Sequence, residues 1–298
     1  VNFETIACPG CGSEDSQPFL DVRDRFDVLP GQFFSIVRCA HCRLLFTNPR
    51  PDAASIGAFY AAGKYDPFVS GSRQLSLKTS LYRAVRFFTV RRKAARVMKG
   101  LRTGARVLDV GCATGELLIR LRRRGHEVFG VEPNAQAAEF ARSTQGLTVW
   151  TGGIEAVPDK AGTFDLITLW HVLEHVHDLR GTLARLRDLL TAGGRLAIAV
   201  PNPLSGEARA YGAAWVAWDA PRHLYHFEPA VVLALLNRSG FRAERGGAVA
   251  FDAFYHCLLS ERANVAGYLR AAARGTVSWL RGVGGGEGSS ELYWAIKA

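Results

Sequence analysis

From residue 105 to residue 247, short apolar runs alternate with stretches of helical spacing, and this alternation constrains the fold more than any other feature of the 298 residues. The runs ARVLDV (105–110), HEVFGV (126–131), LTVWT (147–151), FDLITLW (164–170), GRLAIAV (194–200) and FRAERGG (241–247) have the length and composition of strands, and ELYWAIK (291–297) adds a seventh. Between the first six, segments such as GELLIRLRRRG and LRGTLARLRDLL place apolar residues three and four apart, and most stop near a glycine. One crossover helix per strand implies an α/β fold, a doubly wound seven-stranded mostly parallel sheet. Such sheets bind ligands outside the carboxyl ends of their strands, so functional residues belong just after each strand.

After the first strand comes VLDVGCATGELL. Gly111 and Gly115 let the backbone turn sharply and approach a ligand, and the helix behind them directs free N–H groups at it. Dinucleotide enzymes use a similar device, but here G-x-G-x-x-G is missing and Asp109 ends the strand, where a carboxylate repels a pyrophosphate and suits a cationic ligand. The D-V-G-C-A-T-G segment resembles motif I of the class I methyltransferases, a Rossmann-like family. The resemblance implies that Asp109, Gly111, Ala113 and Gly115 hold the methionine part of S-adenosylmethionine, with Cys112 of the same loop among the cofactor-binding residues. The family more commonly has glycine where Ala113 stands. Glu132, with Pro133 behind it, ends the second strand about twenty residues on, where an acid accepts the ribose hydroxyls. Gly153, Ile154 and Glu155 match the adenine region, and Trp170 and His171 at the end of the fourth strand complete the expected cofactor set.

The acceptor side is rich in histidine: five of the eight lie between 171 and 226. LWHVLEHVHD brings His171, Glu174, His175 and His177 together after the fourth strand. H-x-x-E-H is also an inverted zinc-protease signature, but that motif lies within a helix and this one straddles a strand exit. VLEHV resembles the corresponding segment of ubiquinone-type methyltransferases. A second cluster, WVAWDAPRHLYHFEP, follows the fifth strand and contains Trp215, Trp218, Arg222, His223, Tyr225 and His226. The tryptophans serve either as core or as pocket wall. PRHLYHF resembles bacterial methyltransferases of glycan and natural-product pathways. Histidine titrates near neutrality, so His171, His175, His223 and His226, with Glu174 beside them, are the candidate catalytic residues for deprotonating a hydroxyl. Two alternatives stay open: Glu174 and His175 fix the turn without touching substrate, or Glu174, His175 and His226 hold a catalytic divalent metal, as in related catechol and RNA-end methyltransferases. In that pattern an acid stands where this chain has His171.

CPGC and CAHC, separated by 27 residues, supply Cys8, Cys11, Cys39 and Cys42, the ligand set of a closed structural zinc site. With the xLLFTNPRP that follows, they resemble the zinc ribbons attached to methyltransferases of sugar and natural-product pathways. The expected organisation is a ribbon over 1–50, a helical linker over 51–104, and an S-adenosylmethionine-binding domain over 105–298 with a helical insertion at about 251–280.

The net charge of +10 is concentrated: eleven Lys or Arg and no acid lie between Arg73 and Arg106. That stretch reads either as the solvated face of a helix or as a surface for an anionic or lipid-linked acceptor, or for RNA. A small-molecule methyltransferase acting on a hydroxyl of a sugar, glycan precursor or secondary metabolite leads. An RNA methyltransferase comes second, lacking an N-P-P-Y-type motif. A non-enzymatic ribbon protein with a vestigial cofactor fold comes third, and intact Asp109 and Glu132 count against it. No apolar run approaches the roughly 18 residues of a membrane span, and VNFETIACPGC lacks the pattern of a signal peptide, so a cytoplasmic location is the expectation.

Overall fold

The computed structural model describes residues 1–60, 77–249 and 251–298, with the side chains of 77–86 left aside. Arg73 and the start of the basic stretch lie outside the described residues. In chain order the elements are β1 (Phe3–Glu4), β2 (Ser16–Arg23), β3 (Phe33–Cys39), β4 (Leu45–Thr47), β5 (Arg50–Pro51), α1 (Leu77–Met98), β6 (Arg106–Val110), α2 (Glu116–Arg122), β7 (Glu127–Glu132), α3 (Ala135–Ser143) and β8 (Thr148–Thr151). There follow β9 (Phe164–Trp170), α4 (Leu179–Leu189), β10 (Leu190–Pro201), α5 (Gly206–Tyr211), β11 (Tyr225–His226), α6 (Pro229–Arg238), β12 (Phe241–Ala248), α7 (Asp252–Ser260), α8 (Val265–Val283) and β13 (Ser290–Lys297).

The main sheet has seven strands in the order β12-β13-β10-β9-β6-β7-β8, parallel except for β13, which runs antiparallel to both neighbours. The chain steps outward from β6 to β8 on one side and returns to β9 and β10 on the other, so the crevice opens where β6 and β9 diverge. Register places Asp109 opposite Thr168 there. Side-chain caps fix where the helices begin: Asn134 accepts from Ala137 N, Asp178 from Gly181 N and Asn264 from Gly267 N. Each such cap stabilises its helix by about 1 kcal/mol.

The N-terminal module is bonded into the domain built on the main sheet. Its strands form a second sheet, β11-β4-β3-β2, whose edge strand β11 comes from residues 225–226. Phe34, Ile36, Leu45 and Phe59 pack in one core with Trp215, Ala217 and Trp218. The tryptophans are therefore core and not pocket wall. A fully buried guanidinium joins the two parts: Arg222 donates to Asp24 Oδ1 at 2.6 Å and to Asp219 Oδ1 at 2.7 Å. The boundary expected at residue 50 cuts through β5, which pairs with β1, and Phe59 extends the module's core beyond it.

The basic stretch is not one solvated face. Arg96 donates to the carbonyls of Gly246 and Ala248, and Arg106 to those of Ala161 and Thr163. The expected insertion at 251–280 consists of two helices, α7 and α8.

Candidate functional site

The loop after β6 is held in a conformation that its residues dictate. Gly111 and Gly115 have φ of +71° and +80°, and a Cβ on either would lie 2.5 Å from Val172 or 2.2 Å from Leu147. Ala113 also adopts a left-handed conformation, φ +48°, which accounts for the glycine usual at this position in similar loops. Cys112 is buried beneath the loop, its thiol packed where a Cβ on Gly130 would stand.

Asp109 is buried and accepts from Thr168 Oγ1 at 2.5 Å, with lone pairs to spare on the carboxylate. Burial pushes its carboxyl up to about 7, against the opposing pull of the Thr168 bond and the Lys93 charge. Glu132 reaches back to the same loop. Its Oε2 accepts from Ala113 N at 2.8 Å and its Oε1 from Asn134 N at 2.9 Å, so each oxygen keeps a second lone pair. Burial raises its pKa, and the two amides offset part of that rise. Pro133 follows it into the cap of α3. After β8, Ile154 is buried, while Glu155 turns back on its own loop to accept from Gly153 N at 2.9 Å.

One residue on this side carries no signal in the sequence reading. Lys93 of α1 lies over the Trp170 ring, 4.6 Å from its centroid, and its charge lowers the carboxyl pKa of both Asp109 and Asp252. The basic stretch itself points this way, but nothing local distinguishes Lys93 from its ten neighbours in it.

Beyond β9 the histidines separate into different states. His171 has φ +57°, a backbone conformation costing a non-glycine residue about 1–3 kcal/mol, and its ring lies between two acids. Nε2 is 2.9 Å from Asp252 Oδ2, and Nδ1 is 3.5 Å from Glu174 Oε1. Burial works against the charge, but Asp252 and Glu174 outweigh it and raise the ring to about 9. It is thus an imidazolium at neutral pH, unsuited to the role of base. Asp252 heads α7, far along the chain, and has no local sequence signal.

Residues 173–175 form a single 3-10 turn, so H-x-x-E-H does not sit on a continuous helix face here. His175 Nδ1 is 3.0 Å from the carbonyl of Arg222 and 2.9 Å from Tyr60 Oη. A carbonyl only accepts, so it favours the proton on Nδ1 and the lone pair on Nε2, while the Tyr60 hydroxyl can either accept from Nδ1 or donate to it. By the same logic His223, whose Nδ1 lies 2.8 Å from the carbonyl of Ala217, is also protonated on Nδ1. The two rings meet edge to face, 4.6 Å apart. Burial and the neighbouring His175 drive the His223 pKa well below its ordinary value.

Glu174 is fully buried, and neither oxygen has a hydrogen-bond partner among the described residues. Burial alone would raise its carboxyl, but His171, His223 and His175 around it keep the pKa low. One ligand atom each from Glu174, His175 and His223 lie within 4.8 Å of one another. His226 does not join them. It lies in β11, buried against Trp218, and burial drops its ring to about 3. The expected trio of Glu174, His175 and His226 is corrected accordingly: the histidine that the structure groups with Glu174 and His175 is His223, which follows the turn from Asp219, while His226 lies in the strand beyond it.

The four thiols of Cys8, Cys11, Cys39 and Cys42 also lie within 4.8 Å of one another, with Cys8–Cys42 and Cys11–Cys39 sulfur pairs at 3.4 and 3.5 Å. The Cys42 amide donates to Cys39 Sγ, and Gly10 leaves room for the thiols: a Cβ there would sit 3.3 Å from Cys42 Sγ. Four sulfurs at this spacing fit a small tetrahedral zinc site.

A sequence profile described as "Methyltransferase domain" matches residues 82–245. The chain belongs to the class I S-adenosylmethionine-dependent methyltransferases. The ubiquinone biosynthesis O-methyltransferase of Xanthomonas axonopodis pv. citri (strain 306) is 29% identical over 184 residues, 57% of this chain and 77% of that protein. Two solved structures share the fold. Magnesium protoporphyrin IX methyltransferase from Synechocystis PCC 6803, with bound SAH, has a TM-score of 0.56 at 17% identity, covering 83% of this chain and 100% of that one. The methyltransferase in the Haloferax volcanii complex with the Trm112 activator also scores 0.56, at 16% identity, covering 78% and 97%.

The donor side of this methyltransferase fits its cofactor in chemistry. Two carboxylates with spare lone pairs suit the ribose hydroxyls and a cationic amino acid portion, and Lys93 supplies the complementary charge for a carboxylate. Among the described residues no helix is long and apolar enough to cross a membrane.

Proposed function

We propose that the methyltransferase transfers a methyl group to a hydroxyl of a small-molecule acceptor, a sugar, glycan precursor or secondary metabolite, with His175 Nε2 as the base. The observation that carries this reading is the Arg222 carbonyl 3.0 Å from His175 Nδ1, an acceptor that favours the Nδ1-protonated tautomer with a lone pair on Nε2. A relative named for O-methylation supports an oxygen nucleophile. S-adenosylmethionine supplies an activated methyl at its sulfonium, so the chain's own residues orient the acceptor and accept a proton. In this reading Glu132 takes the ribose hydroxyls, while Asp109 and Lys93 take the ammonium and carboxylate of the methionine. Gly111, Cys112, Ala113 and Gly115 line the same loop, with Pro133, Gly153, Ile154 and Trp170 around the adenosine. The acceptor's hydroxyl proton moves to His175 Nε2 as its oxygen gains the methyl, and the buried Glu174 carboxylate stabilises the imidazolium that results. Orientation supplies on the order of 7–11 kcal/mol and the base about 10² to 10⁴ in rate. Cys8, Cys11, Cys39 and Cys42 hold a structural Zn2+ that keeps the N-terminal sheet, and hence Tyr60 and Asp24, in place.

The test is turnover by His175→Ala across a panel of phenolic and sugar hydroxyl acceptors, with S-adenosylmethionine affinity measured beside it. Lost turnover at unchanged cofactor affinity supports the assignment, and retained turnover refutes it. A second reading is favoured by the buried Glu174 carboxylate, which accepts no hydrogen bond within normal geometry among the described residues: Glu174 with His175 and His223 as ligands of a divalent metal. Turnover abolished by a chelator and restored by magnesium or manganese would select it.

A further inference from the structure

Helix α8 is assembled inside out. The residues it buries are small, Gly267, Ala271, Gly275 and Ser278, one stripe at spacings of four, four and three. Close packing against α7 demands them: a Cβ on Gly275 would stand 2.8 Å from the Phe254 ring. The large apolar residues point outward. Val265 is 75% exposed, Val283 69%, Leu269 68% and Leu280 55%. With Tyr255 and Leu258 of α7 nearby in the hairpin, residues 255–283 hold nine of the fifteen large apolar side chains exposed among the described residues. A monomer gains nothing from such a face unless something apolar covers it.

The charge on the hairpin says what that is. Helix α8 contains Arg270, Arg274 and Arg281 and no acid. Across 252–283 Arg262, Arg270, Arg274 and Arg281 stand against two acids, Asp252 paired with His171 and Glu261 with Arg270 and Arg274, a net charge of +2. Tyr268, 47% exposed, adds an amphipathic ring of the kind that settles at a lipid headgroup boundary. An anionic lipid surface offers both an apolar interior and the opposite charge.

We infer that the α7–α8 hairpin seats the enzyme peripherally on anionic membranes, its large apolar residues entering the headgroup boundary. Asp252, the first residue of α7, holds His171 at the crevice, so the seated hairpin sets the acceptor site next to the lipid. This inference does not depend on which histidine is the base.

The experiment is co-sedimentation of the full chain with vesicles of phosphatidylcholine containing about 30% phosphatidylglycerol, and with phosphatidylcholine alone. The expected result is pelleting with the anionic vesicles that weakens with salt and with loss of the anionic lipid. The double substitution Val265→Glu and Leu269→Glu, at two exposed positions, lowers that binding about tenfold or more. Its S-adenosylmethionine affinity, measured by calorimetry, stays at the unsubstituted value and shows that the fold is intact. Three results overturn the inference: no pelleting of the unsubstituted chain, equal pelleting of the double variant, or a dimer in solution that the double substitution converts to monomer.

Discussion

The donor half of this site and the acceptor half proposed for it are built by opposite means. On the donor side the two carboxylates bond to neighbouring strand edges, Asp109 with Thr168 across one register step and Glu132 with Ala113 across an adjacent strand, while Lys93 reaches in from α1. On the acceptor side five distant stretches converge. Asp24 and Tyr60 come from the N-terminal module, His175 follows β9, Arg222 and His223 follow α5, and Asp252 opens α7. A cofactor shared by many enzymes is served by a short loop that any sheet of this kind can carry. An acceptor particular to one enzyme is served by elements grafted onto the sheet, with the N-terminal module fixing their backbone.

If this contrast is right, substitutions in one half leave the other intact. The largest expected effect is on turnover: His175→Ala lowers kcat by about 10² to 10⁴ and leaves S-adenosylmethionine affinity unchanged in calorimetry. Next is the joint between the halves. Asp24→Ala strips one carboxylate from the buried Arg222 and lowers stability by about 3–5 kcal/mol in denaturant titration. Turnover falls with it, because the carbonyl that fixes His175 belongs to Arg222. Glu132→Ala acts on the other half, weakening S-adenosylmethionine about 10²-fold, the worth of two charge-assisted hydrogen bonds.

A pH series separates the halves further. The Asp109 carboxyl stands at about 7, above its ordinary 3.8. A raised acid binds protons more tightly in the folded chain, so its contribution to ligand-free stability is present below the ordinary value and is lost as pH rises through about 7. Cofactor affinity runs the other way, because the anionic carboxylate is the form that meets the cationic ligand. It improves with rising pH by up to about tenfold per unit until near 7. Asp109→Asn flattens both curves; if both persist, another group is titrating.

The same locality governs what the sequence discloses. All seven strands of the main sheet stand where the apolar runs place them, and Asp109, Gly111 and Glu132 lie together at one strand edge, because period and spacing are local properties. The joining of β11 to the N-terminal sheet is a contact between residues 45–46 and 225–226, which no local pattern records. Hence the sequence suggests separate ribbon and catalytic domains, and ranks His226 with His223 although only His223 faces His175. His171 is legible as a site residue but not as a cation, since its charge depends on Asp252, some eighty residues later. The cluster of four cysteines is legible because its ligands are two local pairs.

The smallest expected effect lies inside the cofactor loop and measures how finely the donor half is made. Ala113 occupies a left-handed conformation at φ +48° between two glycines that share it. Left-handed backbone costs an alanine about 1–2 kcal/mol, while glycine loses about 0.5–1 kcal/mol more chain entropy on folding. Ala113→Gly therefore stabilises the chain by about 0–1.5 kcal/mol, a shift of a few degrees at most in Tm. Its amide still reaches Glu132 Oε2, so cofactor affinity is unchanged. A destabilised variant would mean that the alanine methyl packs usefully beneath the cofactor loop, and that this half too depends on contacts its own motif does not show.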